Sequence, residues 1–380
     1  MIRVGYDAQA FLSQNGGTGK GVQLRNLVGP FLDSFVGFAS TEPNGSGLPL
    51  IREGFAGHNM WQQFSLPASL RRHGIDVFLA PYNVAPLFLP RHVELVLVLH
   101  DTIPLKGYRK PDLRGRLMDA YRRWLIPRSV ARATIVLTVS EHARSEILRA
   151  YPRSDVRVIP CSISARWFSP RGLESRAGYV LMVTSSAPHK NAMGGLKGYA
   201  QYARRAGAGA QPLKVVGLGG SAEPYREEIS ALGVSQLVTF LPYISEEELL
   251  ALYQGAGALL FPSFAEGFGI PLLEAMATGT PAVAARATSL PEVGGDAVVF
   301  FDPADEFDIA SALEKVLGDQ DLARLLASRG LQRAQAYHPD TVARQVREFW
   351  QEVAGIAVTQ SPESPIREAA PIELENLPAV

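Results

Sequence analysis

A chain of 380 residues exceeds what one typical hydrophobic core organises and implies two domains. Its 47% hydrophobic content describes a globular protein, and 37 basic against 37 acidic residues leave no net charge, which removes the basic footprint of a nucleic-acid binder. The single cysteine, Cys161, excludes an internal disulfide framework and any zinc cluster of thiolates, and no apolar run approaches the roughly 20 residues that span a bilayer.

The opening MIRVGYDAQAF reads as a strand entering a core and lacks the charged and apolar regions of a secretory signal, so a cytoplasmic protein is expected. Further strands are predicted over 35–40, 77–81, 94–101, 134–140 and 156–160, following the first at 2–7. A second series is predicted over 179–185, 213–219, 238–243, 258–263, 282–285 and 297–301. These are continuous Val/Ile/Leu runs rather than alternating ones, which means strands buried on both faces. With helical stretches between them they form an α/β architecture, two Rossmann-like doubly wound parallel sheets in tandem. The predicted domains are 1–168 and 175–338, with the polar, glycine-containing linker inside 165–178. The stretch VARQVREFWQEVAG (342–355) has helical periodicity, and the proline- and acid-rich 357–380 is expected to be a flexible tail.

Ligands of such sheets bind beyond the carboxyl ends of the strands, and with two facing domains those ends are expected to border one interdomain cleft. In chain order, the first distinctive segment is GGTGKG (16–21), which fails as a P-loop because Gln14 and Gly21 stand where glycine and Ser/Thr are required. Gly16 and Gly17 are read either as a glycine loop admitting diphosphate or acceptor, or as a plain surface turn. His100 and Asp101 end the very apolar strand ELVLVLHD, so the imidazole projects into either the core or the cleft. The stretch 106–133 holds nine Lys/Arg against two Asp, and Arg122, Arg123 and Trp124 are read as a face toward an anionic membrane or acceptor, or as a solvated helix with aromatics in the core. Lys190, in PHKN before a helix, suits the developing charge of a diphosphate leaving group.

The most informative string is SFAEGFGIPLLEAMATGTPAVAA (263–285), in which Glu266 and Glu274 stand eight residues apart. Gly267 and Gly269 form a turn, Pro271 suits a first helical turn, and Gly279 closes the helix. Glu266 therefore sits on the loop and Glu274 one turn inside the helix, with free N–H groups and the positive helix end between them. Asp319-Gln320-Asp321 could be taken for a metal-binding Asp-x-Asp, but LGDQDLARLLASRG reads as a helix opening, and no metal is expected.

The 263–285 string closely resembles the signature of retaining glycosyltransferases of family 4 (glycosyl transferases group 1), which have the GT-B fold. SSAPHKN (185–191), LPYISEEELLALYQGAGALLFPS (241–263), SLPEVGGDAVVFFDP (289–303), LVLHDTIPL (97–105) and TVSEHARSEI (138–147) also resemble members' segments in their usual order. The resemblance covers nearly the whole chain and is similar to bacterial polysaccharide mannosyltransferases. It implies that the first domain is the acceptor side, that the second is the nucleotide-sugar donor domain, and that helix 342–355 crosses back onto the first. It further implies catalytic roles for His100, Lys190 and Glu266, with Glu266 on donor-sugar hydroxyls and Glu274 on the ribose. Backbone N–H groups around Gly267, Phe268, Gly269, Ile270, Pro271 and Leu272 would hold sugar and phosphate oxygens, with Asn191 beside them. Tyr243 and Ile244 would flank the nucleobase, unless they are core at a strand end. Members often carry an arginine a few residues before the lysine, where this chain has Thr184-Ser185-Ser186.

The expected function is a metal-independent, cofactor-free transfer of a hexose, mannose from GDP-mannose first, with UDP-linked donors open. The acceptor would be a glycan or lipid-linked saccharide in surface polysaccharide assembly, with peripheral contact to the inner face of the membrane. A nucleotide-sugar 2-epimerase of the same fold is the rival enzyme, and a non-catalytic nucleotide-sugar-binding scaffold subunit is the rival from another class.

Overall fold

The structure, a computed structural model, describes residues 2–12, 19–40, 50–55, 57–103, 113–152, 154–172 and 178–354. Seven strands form one sheet: β1 (Val4–Asp7), β2 (Val36–Ala39), β3 (Leu50–Arg52), β4 (Val77–Ala80), β5 (Glu94–Val98), β6 (Ile135–Thr138) and β7 (Val156–Val158), ordered β3-β2-β1-β4-β5-β6-β7. Six form another: β8 (Val180–Val183), β9 (Leu213–Val216), β10 (Val238–Phe240), β11 (Ala258–Phe261), β12 (Ala282–Ala285) and β13 (Val298–Phe301), ordered β10-β9-β8-β11-β12-β13. The pairing is parallel, with Val4 opposite Val77 between β1 and β4, and Leu259 opposite Leu181 between β11 and β8. Every residue of β1, β4, β6, β11 and β12 is buried, which is why these strands read as unbroken apolar runs. In each sheet the winding direction reverses once, between β1 and β4 and between β8 and β11. Those reversals are the switch points where α/β sheets bind ligands.

Twelve of these strands were expected, and β3 was not. It is a three-residue edge strand with none of its residues fully buried, so its sequence carries no apolar run. The strand expected over 94–101 ends at Val98, because the Asp101 carboxylate accepts the Ile103 N–H (2.9 Å) and turns the chain.

Contacts group the chain into two units. Its described residues in the first are those within Met1–Leu99, Leu125–Leu137 and 343–354. Tyr6, Phe38, Trp61, Phe78 and Trp350 are its largest fully buried side chains. The last described helix, Pro339–Ala354, starts three residues ahead of the predicted 342, with proline pre-set at its first position. Trp350 on it donates its indole N–H to the Leu27 carbonyl (2.9 Å) and packs edge-on against Phe35 (4.9 Å).

The second unit comprises His100–Trp124 and Thr138–Val342, with Tyr199, Tyr253, Phe261 and Phe301 in its core. Asp319 opens the helix Gln320–Ala334 by accepting the N–H groups of Asp321 and Leu322, each at 3.0 Å. Cys161 is buried, and desolvation pushes its thiol up to about 12, so it behaves as a small hydrophobe. No helix among the described residues is long and apolar enough to cross a membrane.

Candidate active site

At the switch point of the second sheet, β11 runs out into Pro262-Ser263-Phe264 and then the turn that carries Glu266. Gly269 ends that turn at φ 109°, a conformation glycine adopts without steric cost, and the helix Ile270–Ala277 follows with Pro271 in its first turn. The turn is pinned from below by Thr288 and Ser289. The Glu266 N–H donates to Thr288 Oγ1 (2.9 Å), and the single proton of the buried Ser289 hydroxyl is shared between the carbonyls of Glu266 (3.0 Å) and Phe268 (2.9 Å). From above, the Ser140 hydroxyl donates to the Gly267 carbonyl (2.8 Å). A Cβ at Gly267 would lie 2.5 Å from the His100 carbonyl oxygen, so only glycine permits this approach. His100, buried, and Asp101 thus lie directly against the glutamate-bearing turn.

Lys190 arrives from the neighbouring strand. After β8, a 3-10 turn spans Pro188–Lys190, and Asn191 reverses the chain at φ 52° before the helix Ala192–Ala206. The Asn191 amide donates to the carbonyls of Pro262 (3.0 Å) and Pro303 (2.8 Å), so this side chain fastens the turn to β11. Lys190 Nζ then meets both carboxylate oxygens of Glu266, at 2.7 and 2.9 Å. The side chains are 24% and 10% exposed, so the pair is reachable but largely screened from water. Two bonds leave one of the three ammonium donors for another acceptor.

Thr184 Oγ1, just past β8, and Ser263 Oγ, just past β11, are buried and have no partner among the described residues. Buried hydroxyls are almost always hydrogen-bonded, so both are exceptions at the ends of the two strands that flank the reversal. The N–H groups of Phe268, Gly269 and Ile270 likewise meet no protein acceptor among the described residues. The donor set expected over 267–272 is narrower than it reads in sequence: Pro271 has no N–H, and that of Leu272 bonds back to the Gly269 carbonyl (3.0 Å). The side chains of Phe268 and Leu272 are core, so here only the backbone can serve.

Glu274 is buried on the helix interior, where it meets the Tyr253 hydroxyl. Burial raises its carboxyl from 4.5 to about 7; the Tyr253 hydrogen bond opposes the rise and the negative charge of Glu246 adds to it. The same burial, with the Glu274 charge adding, holds the Tyr253 phenol well above its ordinary value. Tyr243 is 82% exposed, an aromatic face open to stacking, whereas Ile244 packs partly against the unit's core.

On the helix Leu113–Arg132, Leu125 and Ile126 are buried, while Leu117 (63%) and Trp124 (48%) point outward among exposed Arg116, Arg123 and Arg128. Arg122 is half-buried and stands 3.8 Å from Asp119. Gly16, Gly17 and the tail 357–380 lie outside the described residues. Sequence reasoning missed Tyr253, Thr288, Ser289 and Ser140. The serine of SLPEVGG offered a signal, since a hydroxyl just before a proline-led helix is a natural partner for a nearby turn, but Tyr253 offered none.

Residues 164–333 match the family described as Glycosyl transferases group 1, and residues 29–167 match Glycosyltransferase Family 4. O-antigen chain mannosyltransferase B of Escherichia coli is 30% identical over 67% of this chain and 70% of its own length. O-antigen chain mannosyltransferase RfbU of Salmonella typhimurium is 31% identical over 59% of this chain and 65% of its own. MMP alpha-(1->4)-mannosyltransferase of Mycolicibacterium hassiacum is 32% identical over 52% of this chain and 49% of its own. Among solved structures, HepE of Anabaena in complex with UDP-glucose superposes with a TM-score of 0.73 at 18% identity, covering 93% of this chain and 100% of that one. A sucrose-phosphate synthase from Thermosynechococcus elongatus gives 0.70 at 17% identity, over 94% of this chain and 100% of that one. Likeness at such identities shows the fold, the GT-B pairing of two parallel-sheet domains.

Proposed function

The chain belongs to the glycosyltransferases of group 1 and family 4, and on that premise we propose that it moves mannose from GDP-mannose to a glycan or lipid-linked saccharide with retention of configuration. Mannose is chosen because the three relatives above are named mannosyltransferases. The observation that carries the reading is the Lys190–Glu266 pair at the β8/β11 switch point, beside unaccepted N–H groups and two unpartnered hydroxyls. Glu266 accepts from hydroxyls of the donor sugar, Lys190 and the 268–270 amides take the diphosphate oxygens, and Glu274 takes the ribose. The lysine and the helix end together supply what an upstream arginine gives other members.

In this reading the bond between the anomeric carbon and the diphosphate breaks as the acceptor oxygen bonds to the same face. The acceptor proton passes to the departing phosphate oxygen, and Lys190 stabilises the charge that develops there. His100, held against Gly267, orients the sugar rather than acting as the base. The step calls for no metal ion or cofactor.

A thermal-shift screen against GDP, UDP, ADP, GDP-mannose and UDP-hexoses, with EDTA present, tests the donor site. A ligand that binds only the folded state raises the melting temperature by mass action. A selective rise with GDP and GDP-mannose is expected; a response to UDP alone replaces the donor, and silence from the whole panel refutes the site. Glu266→Ala should cut transfer by ~10²–10³-fold, the usual cost of one such contact. The exposed Leu117 and Trp124 among arginines are assigned to an anionic membrane at the cytoplasmic face. Co-flotation with anionic liposomes, lost when Arg116, Arg123 and Arg128 become glutamine, is the expected result; equal recovery of both proteins would remove the membrane from the account.

A further inference from the structure

Arg166 and Trp167 lie inside the predicted linker 165–178, and the reaction described above makes no use of them. They belong to the 3-10 turn Ala165–Trp167, which rests on the helix Glu246–Gly255 within the second unit. At the first turn of that helix, Arg166 Nε meets Glu246 Oε1 (3.2 Å) and Nη1 meets Glu247 (2.8 Å), while Nη2 pairs with the other oxygen of Glu246. The Trp167 indole N–H donates to Glu246 Oε1 as well (2.9 Å). At the last turn the Gln254 amide donates to the carbonyl (2.7 Å) and the hydroxyl (3.0 Å) of Ser169. Between the two ends, the buried Trp167 ring stands edge-on to Tyr253, with centroids 5.5 Å apart and planes at 79°.

Tyr253 is the residue whose hydroxyl meets Glu274. Their backbones are already tied: Thr280 donates to the Tyr253 carbonyl (2.7 Å), Thr278 donates to that of Glu274 (2.9 Å), and the two hydroxyls stand 3.0 Å apart. A tied backbone does not aim a phenol, and the Trp167 ring bears on the phenol itself. Glu246 reaches Glu274 in a second way, because its negative charge opposes ionisation of the buried carboxyl. Arg166 and the Trp167 N–H pair that charge. The ion pairs of Arg166 are partly exposed and contribute little stability of their own. Their consequence falls on what Glu246 does to Glu274.

We propose that Trp167 and Arg166 are positioning residues for the donor nucleotide: Trp167 holds the Tyr253 hydroxyl on Glu274, and Arg166 pairs the carboxylate of Glu246 that opposes ionisation of Glu274. The word nucleotide rests on the glycosyl-transfer reading, in which Glu274 takes the ribose; the hold on Glu274 does not.

Two measurements on the full chain test this. In calorimetric titration with GDP, Glu274→Gln, Tyr253→Phe and Trp167→Leu should each weaken binding at least about fivefold, the loss of one hydrogen bond. Trp167→Leu should add nothing further in the Tyr253→Phe background, because the hydroxyl it positions is gone. The second measurement needs no nucleotide: titration of the Glu274 carboxyl by carbon-13 NMR, its resonance identified by its loss in Glu274→Gln. The midpoint is expected at about 7 in the wild type and higher in Arg166→Gln and in Trp167→Phe, which keeps a ring and loses the N–H to Glu246. Equal weakening by Trp167→Leu with and without the Tyr253 hydroxyl, as a merely structural role would give, overturns the role of Trp167. A midpoint unmoved in Arg166→Gln overturns that of Arg166. Where Trp167→Leu does not fold, Trp167→Phe carries the test, and an unmoved midpoint there counts against the proposal. GDP affinity unchanged in Glu274→Gln, or no GDP binding by the wild type, removes the ribose contact from the transfer reading and leaves the midpoints to decide the hold on Glu274.

Discussion

Glu266 has an ammonium group on both carboxylate oxygens, whereas Glu274 has a phenol and a buried surrounding. Its carboxyl is raised from 4.5 to about 7, so the folded chain holds that proton more tightly than the unfolded one. The resulting stabilisation is complete below pH 4.5 and is lost as pH rises through about 7. At about 1.36 kcal/mol per pH unit the loss comes to about 3 kcal/mol by pH 8. Glu274→Gln keeps a partner for Tyr253 and removes the titration. Its melting temperature should therefore match or fall below that of the wild type near pH 5 and exceed it near pH 8, as followed by calorimetry across that range. A constant difference would mean that Glu274 does not titrate there. The sequence singled out Glu266 and Glu274 because they stand eight residues apart in one loop–helix string, and Lys190 because PHKN precedes a helix. It could not show Tyr253, which reaches Glu274 from the separate helix Glu246–Gly255, nor that Asn191 would spend its amide on Pro262 and Pro303.

The glycine turn is the element on which the site depends, and Gly267 is its tightest point. A methyl group there would stand 2.5 Å from the His100 carbonyl, a backbone atom that no rotamer change can move aside. Gly267→Ala must therefore displace the turn, and Glu266 and the hydrogen bond its N–H donates to Thr288 move with it. Overpacking of this kind costs about 1–3 kcal/mol, and a displacement of ~1 Å in a positioning element costs about 10²-fold in rate. Transfer should fall by that order while the GDP thermal shift survives in weakened form. Full activity in the alanine variant would show that the turn has room to spare. The strands were legible because burial on both faces writes itself as an unbroken apolar run. β3 was not, since an edge strand of three residues buries too little to leave a pattern. The final helix was found from VARQV, yet the proline at 339 was the truer start signal.

At the scale of the molecule, the chain interleaves. Described residues of 100–124 group with 138–342, while 125–137 and 343–354 return to the first unit. Periodicity is a property of neighbours in sequence and says nothing of such returns; the crossing of helix 342–355 onto the first domain was expected from the family resemblance alone. Trp350 is the largest side chain the last helix contributes to the first unit, and its described partners, Leu27, Phe35 and Phe349, all lie in that unit. Truncation of a buried tryptophan costs about 3–5 kcal/mol, and the Leu27 carbonyl loses its donor as well. Local stability is reported element by element by amide exchange. Trp350→Ala should therefore lower protection in β1, β2 and β4 and leave β8, β9 and β11 near their wild-type values, with the GDP response intact. Equal loss of protection in both sheets would instead show that the units open as one cooperative body, so that the first cannot be weakened without the nucleotide site opening with it.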